Sequence, residues 1–193
     1  MIPTPVLDKI EGINPFATIN TSPLEIGKIL RSLKKSHFSA CGIPAKLLVE
    51  IATPISHPLF SLYNNLFSIG HYPDIWKISY ITPVYKRSGL KSEKSNYRPI
   101  SLLPTLSKVC ESVMHQRLLA HCKDFNIISS SLGDSTISQL LYIVHSIRLS
   151  WSQNKMSQGI FLDISAAFDT VWHAGLLSKL MQIGIEEEVL DLF

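Results

Sequence analysis

Cysteine is scarce in this chain of 193 residues: only Cys41, Cys110 and Cys122 occur, odd in number and without a Cys-x-x-Cys spacing. That pattern argues against a disulfide framework and a thiolate zinc cluster, and it fits an intracellular, reducing setting, with nucleus or cytoplasm unresolved. Long apolar runs are lacking as well. No stretch approaches the roughly 18 residues that cross a bilayer, and the opening Met-Ile-Pro-Thr-Pro has no basic segment leading into an apolar one. The expectation is no membrane span and no secretory signal. Charge is sparse, at 17%, against 46% hydrophobic residues. Such a chain can bury a core and has too few charges for a disordered segment of its length.

What charge there is lies unevenly. Between positions 77 and 98 stand Lys77, Lys86, Arg87, Lys91, Lys94 and Arg98 against Glu93 alone. From position 163 onward stand Asp163, Asp169, Glu186, Glu187, Glu188 and Asp191 against Lys179 alone. A basic part suited to phosphates and an acidic part suited to divalent cations is one reading of this split, and solvated faces are the other.

In chain order, residues 1–21 carry Pro3, Pro5 and Pro15 and no lasting periodicity, so they read as a partly ordered lead-in. Ser22-Pro23-Leu24-Glu25 is a capping box with proline at the first helical position, opening a helix that should end near residues 34–36. Pro44 opens a second helix with Leu47, Leu48 and Ile51 on one face. Ser56-His57-Pro58 opens a third that stops at Gly70. His57 and His71 have no ligand partner in this pattern and read as surface or capping residues. Residues 76–85 and 96–103 then form two strands around a polar, basic loop containing Gly89, a hairpin with a cationic tip. A helix over residues 106–122 follows, with Val109, Val113, Leu118 and Leu119 inward. Cys110 and Cys122 on it lie about 18 Å apart at ~1.5 Å per residue, too far to pair.

The run Gly-Ile-Phe-Leu-Asp-Ile-Ser-Ala-Ala-Phe-Asp-Thr-Val-Trp-His-Ala, residues 159–174, is the stretch around which the rest is organised. Ile160, Phe161 and Leu162 read as a buried strand that delivers Asp163 at its carboxyl end, before small residues turn the chain into a helix. A carboxylate there either caps that helix or awaits a metal ion. Asp169 reads as the cap of a helix beginning near Thr170. Val171, Leu176, Leu177 and Leu180 should pack along one face of it.

Several strings together carry a resemblance. They are Tyr72-Pro73-Asp74-Ile75-Trp76-Lys77, Ile81-Thr82-Pro83-Val84-Tyr85-Lys86, Asn96-Tyr97-Arg98-Pro99-Ile100-Ser101-Leu102-Leu103, Lys108-x-x-Glu111 with Arg117-Leu118, and Phe161 to His173. They resemble, in order, the fingers and first palm motif of reverse transcriptases from non-long-terminal-repeat retrotransposons, the long interspersed type. The resemblance implies a mixed α/β fold: an α-rich fingers lobe with a β-hairpin over residues 22–150, then the first strand and helix of a polymerase palm over residues 151–193. It implies an RNA-directed DNA polymerase, a nucleotidyltransferase copying an RNA or DNA template with primer from deoxynucleoside triphosphates.

Residue by residue, it implies that Asp163 and the Ile164 backbone carbonyl hold magnesium, the hard cation of two-metal nucleotidyl transfer. Lys86 and Arg98 would hold the incoming triphosphate. Phe168 would be a steric gate against a 2′-hydroxyl. The sequence also departs from the family pattern. Only Ile127 to Asp134 connects two helices where relatives carry a longer segment, and the sequence reaches Phe193 before the template-grip motif and the Tyr-x-Asp-Asp-type turn. The expectation is a polymerase fragment, inactive as an isolated chain, with the remaining palm downstream. The alternative is a non-catalytic retroelement remnant acting at most as a basic nucleic-acid-binding or interaction module.

Overall fold

Ser22 begins the first helix as its type and position dictate. In the computed structural model, which describes residues 10, 12–34, 43–128, 136–162, 164 and 167–192, its hydroxyl accepts from the Glu25 amide at 3.2 Å, and helix α1 runs Pro23–Ser32 with proline in the first turn. The reciprocal half of the box is redirected. The Glu25 carboxylate accepts from the Thr21 hydroxyl at 2.9 Å and pairs with Arg117 at 2.7 Å.

The described residues fall into two compact units, one drawn from Pro15–Arg117 with Ile185–Phe193, the other from Met1–Asn14 with Leu118–Gly184. The first holds α1, α2 (Ala45–Glu50), α3 (Ala52–Ser68), α4 (Asp74–Lys77), β1 (Tyr80–Tyr85), β2 (Tyr97–Leu102), the start of α5 (Thr105–Asp124) and α8 (Glu187–Leu190). Helix α3 starts earlier than the Ser56-His57-Pro58 signal suggests. Pro54 falls in its first turn, where an amide would have no helical partner anyway, so the helix nucleates there and accepts Pro58 in its interior at the cost of one bond. It stops as expected, with Gly70 left-handed at φ +60° and its α-carbon so close to the Glu188 carbonyl that a side chain has no room. His57 and His71 are exposed, in keeping with a surface reading.

The core of this unit is Ile26, Leu30, Leu48, Tyr63, Val109 and Val113, all essentially inaccessible. Tyr63 meets Trp76 edge-on at 6.0 Å, and Trp76 meets Tyr72 at 5.7 Å. Both phenols are satisfied: Tyr63 Oη donates to the Leu106 carbonyl at 2.9 Å and Tyr72 Oη to Glu111 at 2.8 Å. This cluster seats α4, from which β1 departs three residues later.

The second unit holds the rest of α5, α6 (Thr136–Ser152) and α7 (His173–Gln182). His121 Nε2 donates to the Ile183 carbonyl at 2.7 Å, which places the ring proton on that nitrogen. Cys110 and Cys122 are buried free thiols on α5, as their spacing requires, while Cys41 lies outside the described residues.

Three expectations need correction here. Ile160, Phe161 and Leu162 form no strand; they are irregular and 79–90% exposed. A strand exists only against a partner, and the hairpin is the one sheet among the described residues. On α7 Leu180 is buried as expected, whereas Val171, Leu176 and Leu177 are exposed, so the inward face is Gly175, Ser178 and Leu180. Asp169 is not a helix cap: it sits in a turn over residues 167–170, and Trp172 occupies the N-cap of α7.

Helix α6 buries none of its residues, leaving Leu140, Leu141, Tyr142, Ile143 and Trp151 open to solvent. Uncovered apolar area on this scale drives association. Residues 1–193 alone are therefore expected to self-associate, with the oligomer dispersing on Leu141→Glu; sedimentation as a monomer at micromolar concentration would contradict this.

Candidate nucleotide-binding and catalytic site

The hairpin is antiparallel, with Tyr80 opposite Leu102, Thr82 opposite Ile100, Pro83 opposite Pro99, Val84 opposite Arg98 and Tyr85 opposite Tyr97. The Lys86 amide donates to the Asn96 carbonyl at 2.8 Å, extending the ladder by one bonded pair. Alternation then puts the even-numbered pairs in bonded positions and the odd-numbered pairs in non-bonded ones. Pro83 and Pro99 fall in the odd set. Each therefore points its missing N–H outward, so two prolines stand face to face without breaking the ladder, and both outer edges are blunted against further pairing.

The same alternation sorts the side chains. Directly opposed residues and those two apart share a face, so Val84, Arg98 and Lys86 lie on one side of the hairpin. Lys86 and Arg98 are diagonal neighbours there, with α-carbons roughly 7–8 Å apart, and both are exposed. Tyr85 and Tyr97 lie on the other side with ring centroids 5.5 Å apart. Separated by eleven residues of sequence, the two cations named for the triphosphate are brought together by register.

The loop between the strands is closed by polar contacts. Lys86 Nζ donates to the Ser95 carbonyl at 2.7 Å, using one of its three protons. Asn96 Nδ2 donates to the Leu90 carbonyl at 2.8 Å and to Glu93 at 3.1 Å. Tyr85 Oη donates to the Gly89 carbonyl and Tyr97 Oη to the Lys91 carbonyl, at 2.5 and 2.9 Å. Gly89 is left-handed at φ +79°, and a β-carbon on it would run into the Asn96 carboxamide. A cationic tip of this kind reads from sequence as a solvated loop; the structure adds its tyrosine and asparagine anchors.

The stretch expected to hold magnesium is less concentrated. Asp163 lies outside the described residues. Ile164 and Phe168, at 71% and 95% exposure, stand open to solvent. A carboxylate and a backbone carbonyl are oxygen donors, the right kind for magnesium. Their number is small, and among the described residues no three His, Cys, Asp or Glu side chains converge as a metal-holding group.

Two strings read as motif have structural work here. Glu111, of Lys108-x-x-Glu111, receives the Tyr72 phenol, whose proton is held well above the ordinary tyrosine range by burial and by that bond. Burial also lowers the Lys108 pKa, with Glu111 opposing the shift. Arg117 forks onto the Asn20 carbonyl at 2.9 and 3.1 Å as well as onto Glu25. It therefore ties the segment before α1 to α5.

A family model described as reverse transcriptase (RNA-dependent DNA polymerase) matches residues 85–193, from the last residue of β1 onward and so over Lys86, Arg98, Asp163 and Phe168. The chain belongs to the reverse transcriptase family. The RNA-directed DNA polymerase from mobile element jockey of Drosophila melanogaster is 35% identical over 124 residues, covering 61% of this chain and 13% of that protein. The probable RNA-directed DNA polymerase from transposon X-element of the same organism is 32% identical over 126 residues, 63% of this chain and 14% of that protein. A retrovirus-related Pol polyprotein from type-1 retrotransposable element R1 of Bradysia coprophila is 27% identical over 144 residues, 72% of this chain and 14% of that protein. The chain thus spans about a seventh of the length of these curated relatives. The resemblance to polymerases of non-long-terminal-repeat elements holds, as does the mixed α/β fold with its antiparallel hairpin. Divalent metal use is general in this family. Among the described residues no helix is long and apolar enough to cross a membrane.

Proposed function

We propose that residues 1–193 are the amino-terminal part of an intracellular retroelement RNA-directed DNA polymerase, with a fingers-like region over residues 22–150 and the opening of the palm after it. The observation that carries this reading is the hairpin register that sets Lys86 beside Arg98 on one exposed face, inside the stretch the family model matches. Lys86 supplies a point charge and Arg98 a planar fork; together they suit the oxygens of a triphosphate, whose charge they offset as pyrophosphate departs. Asp163 and the Ile164 carbonyl are the candidate magnesium donors. When bound, such ions activate the attacking hydroxyl and stabilise the departing oxygen. Phe168 sits five residues beyond Asp163, where a ring excludes a ribose 2′-hydroxyl and so selects deoxynucleotides.

A second reading is a nucleic-acid-binding module without catalysis. It is favoured by the hairpin, which is complete among the described residues, while the metal donors are few. Both readings require phosphate binding by the hairpin face. Lys86→Ala with Arg98→Ala is expected to weaken binding of a single-stranded oligothymidylate at least tenfold. It should also flatten the plot of log affinity against log salt by roughly 1.4, at ~0.7 per lost phosphate contact. An unchanged slope in the double variant would return the hairpin to a merely solvated role.

A further inference from the structure

Two cations of the hairpin loop, Lys86 and Lys91, are held before any ligand arrives. Tyr85 and Tyr97, opposed on the face away from Lys86 and Arg98, each reach past the end of their strand and donate to a loop carbonyl, Gly89 for one and Lys91 for the other. Lys91 folds back so that its ammonium lies 5.9 Å from the centre of the Tyr85 ring. Asn96 bridges the Leu90 carbonyl and Glu93 from inside the loop, packed against Gly89, and Lys86 is held by the Ser95 carbonyl. Arg87 is kept left-handed at φ +60° within the same enclosure. Long cationic side chains on a free loop would give up much backbone and rotamer freedom on binding, and a loop tied at this many points has already given it up.

We infer that Tyr85, Asn96 and Tyr97 are positioning residues for phosphate binding, their side chains presetting the loop so that Lys86 and Arg98 meet neighbouring phosphates together. None of the three needs to touch the ligand. This rests on the reading that the hairpin binds phosphates, and the shared chemistry is a row of phosphate groups, in a strand backbone or in a free triphosphate.

The test uses the 193-residue chain and three variants: Tyr97→Phe, which keeps the ring and removes one donor; Asn96→Ala; and the Lys86→Ala, Arg98→Ala pair. Thermal unfolding is recorded for each, and binding is titrated with oligothymidylate over a range of salt and with thymidine triphosphate. Tyr97→Phe and Asn96→Ala are expected to melt within a few degrees of the parent, yet bind about three- to tenfold more weakly, the effect of losing one or two hydrogen bonds from a preset loop. Their salt slope should fall by roughly 0.7, one phosphate contact. Loss confined to the oligothymidylate assigns the preset loop to a strand, and loss confined to the triphosphate assigns it to the nucleotide; either supports the inference. Parent-like affinity and slope in both Tyr97→Phe and Asn96→Ala, while the lysine-arginine pair is defective, overturns the positioning role and leaves phosphate binding standing. Parent-like behaviour in the lysine-arginine pair removes the reading beneath it as well.

Discussion

Residues 1–193 purified alone will extend no primer. A longer polypeptide of the same frame that does extend one will lose that activity on Asp163→Asn by more than the ~10–100-fold that removal of an outer-shell partner costs a metal site. The expectation comes from counting donors. Within these 193 residues Asp163 and the Ile164 carbonyl are the only groups assigned to magnesium, while Asp169 lies in a turn and Glu187 and Glu188 open helix α8. Magnesium offered a single carboxylate keeps most of its waters, so it binds weakly and aligns nothing. Two ions held a few ångströms apart need several carboxylates, and without that alignment the entropic advantage of a preassembled primer and triphosphate is lost. Asparagine at position 163 preserves shape and removes the charge, which separates a ligand from a packing role. Magnesium-dependent extension by residues 1–193 that Asp163→Asn abolishes would show the donor count to be wrong. Full extension by the longer Asp163→Asn variant would remove Asp163 from the site.

The parts of this molecule legible from sequence are those decided locally. Ser22-Pro23 announces α1 because an N-cap hydroxyl and a proline without an amide both suit a helix start. The hairpin is legible because β-branched and aromatic residues flank a polar loop, and the strings Thr-Pro-Val-Tyr and Tyr-Arg-Pro-Ile fall on its two strands. Where a tertiary partner decides, local pattern misleads. Ile160, Phe161 and Leu162 have strand composition, yet composition cannot supply a neighbouring strand. Pro58 reads as a helix start, and packing of Ala52, Ser56 and Leu59 into the core carries the helix through it.

The loop anchors failed to show for a different reason. Tyr85 and Tyr97 reach backbone carbonyls, and every residue has one of those, so no residue pairing in the sequence marks the contact. Their even spacing on either side of a loop with a glycine was the available signal. Tyr72 and Glu111, 39 positions apart, meet only through the tertiary placement of the segment before α4 against helix α5.

The largest stability effect should come from Tyr63. Its ring is inaccessible, edge-on to Trp76, and its hydroxyl donates to the Leu106 carbonyl. Tyr63→Ala removes the ring and leaves a cavity beside Trp76, a cost of about 3–5 kcal/mol against a total that for such domains is roughly 5–15 kcal/mol. Tyr63→Phe removes only the donor and should cost about 1 kcal/mol. The two variants also differ in alkali. Burial holds the Tyr63 proton far above the ordinary range and pushes the Cys110 thiol up to about 12, with Glu111 adding to the latter. Unfolded, these groups ionise from about pH 9 for the thiol and about pH 10 for the phenol. Below pH 9 both states keep their protons and stability is at its full value. Above it the unfolded chain binds fewer protons than the folded one, so stability falls as pH rises. The melting temperature should therefore decline progressively from pH 9 to 12. In Cys110→Ala the decline just above pH 9 should be shallower but not absent, because burial also raises the Cys122 thiol, and in Tyr63→Phe it should be shallower above about pH 10. A Tyr63→Ala variant that melts within a few degrees of the parent, or an alkaline decline unchanged by both Cys110→Ala and Tyr63→Phe, would contradict the buried positions assigned to these two side chains.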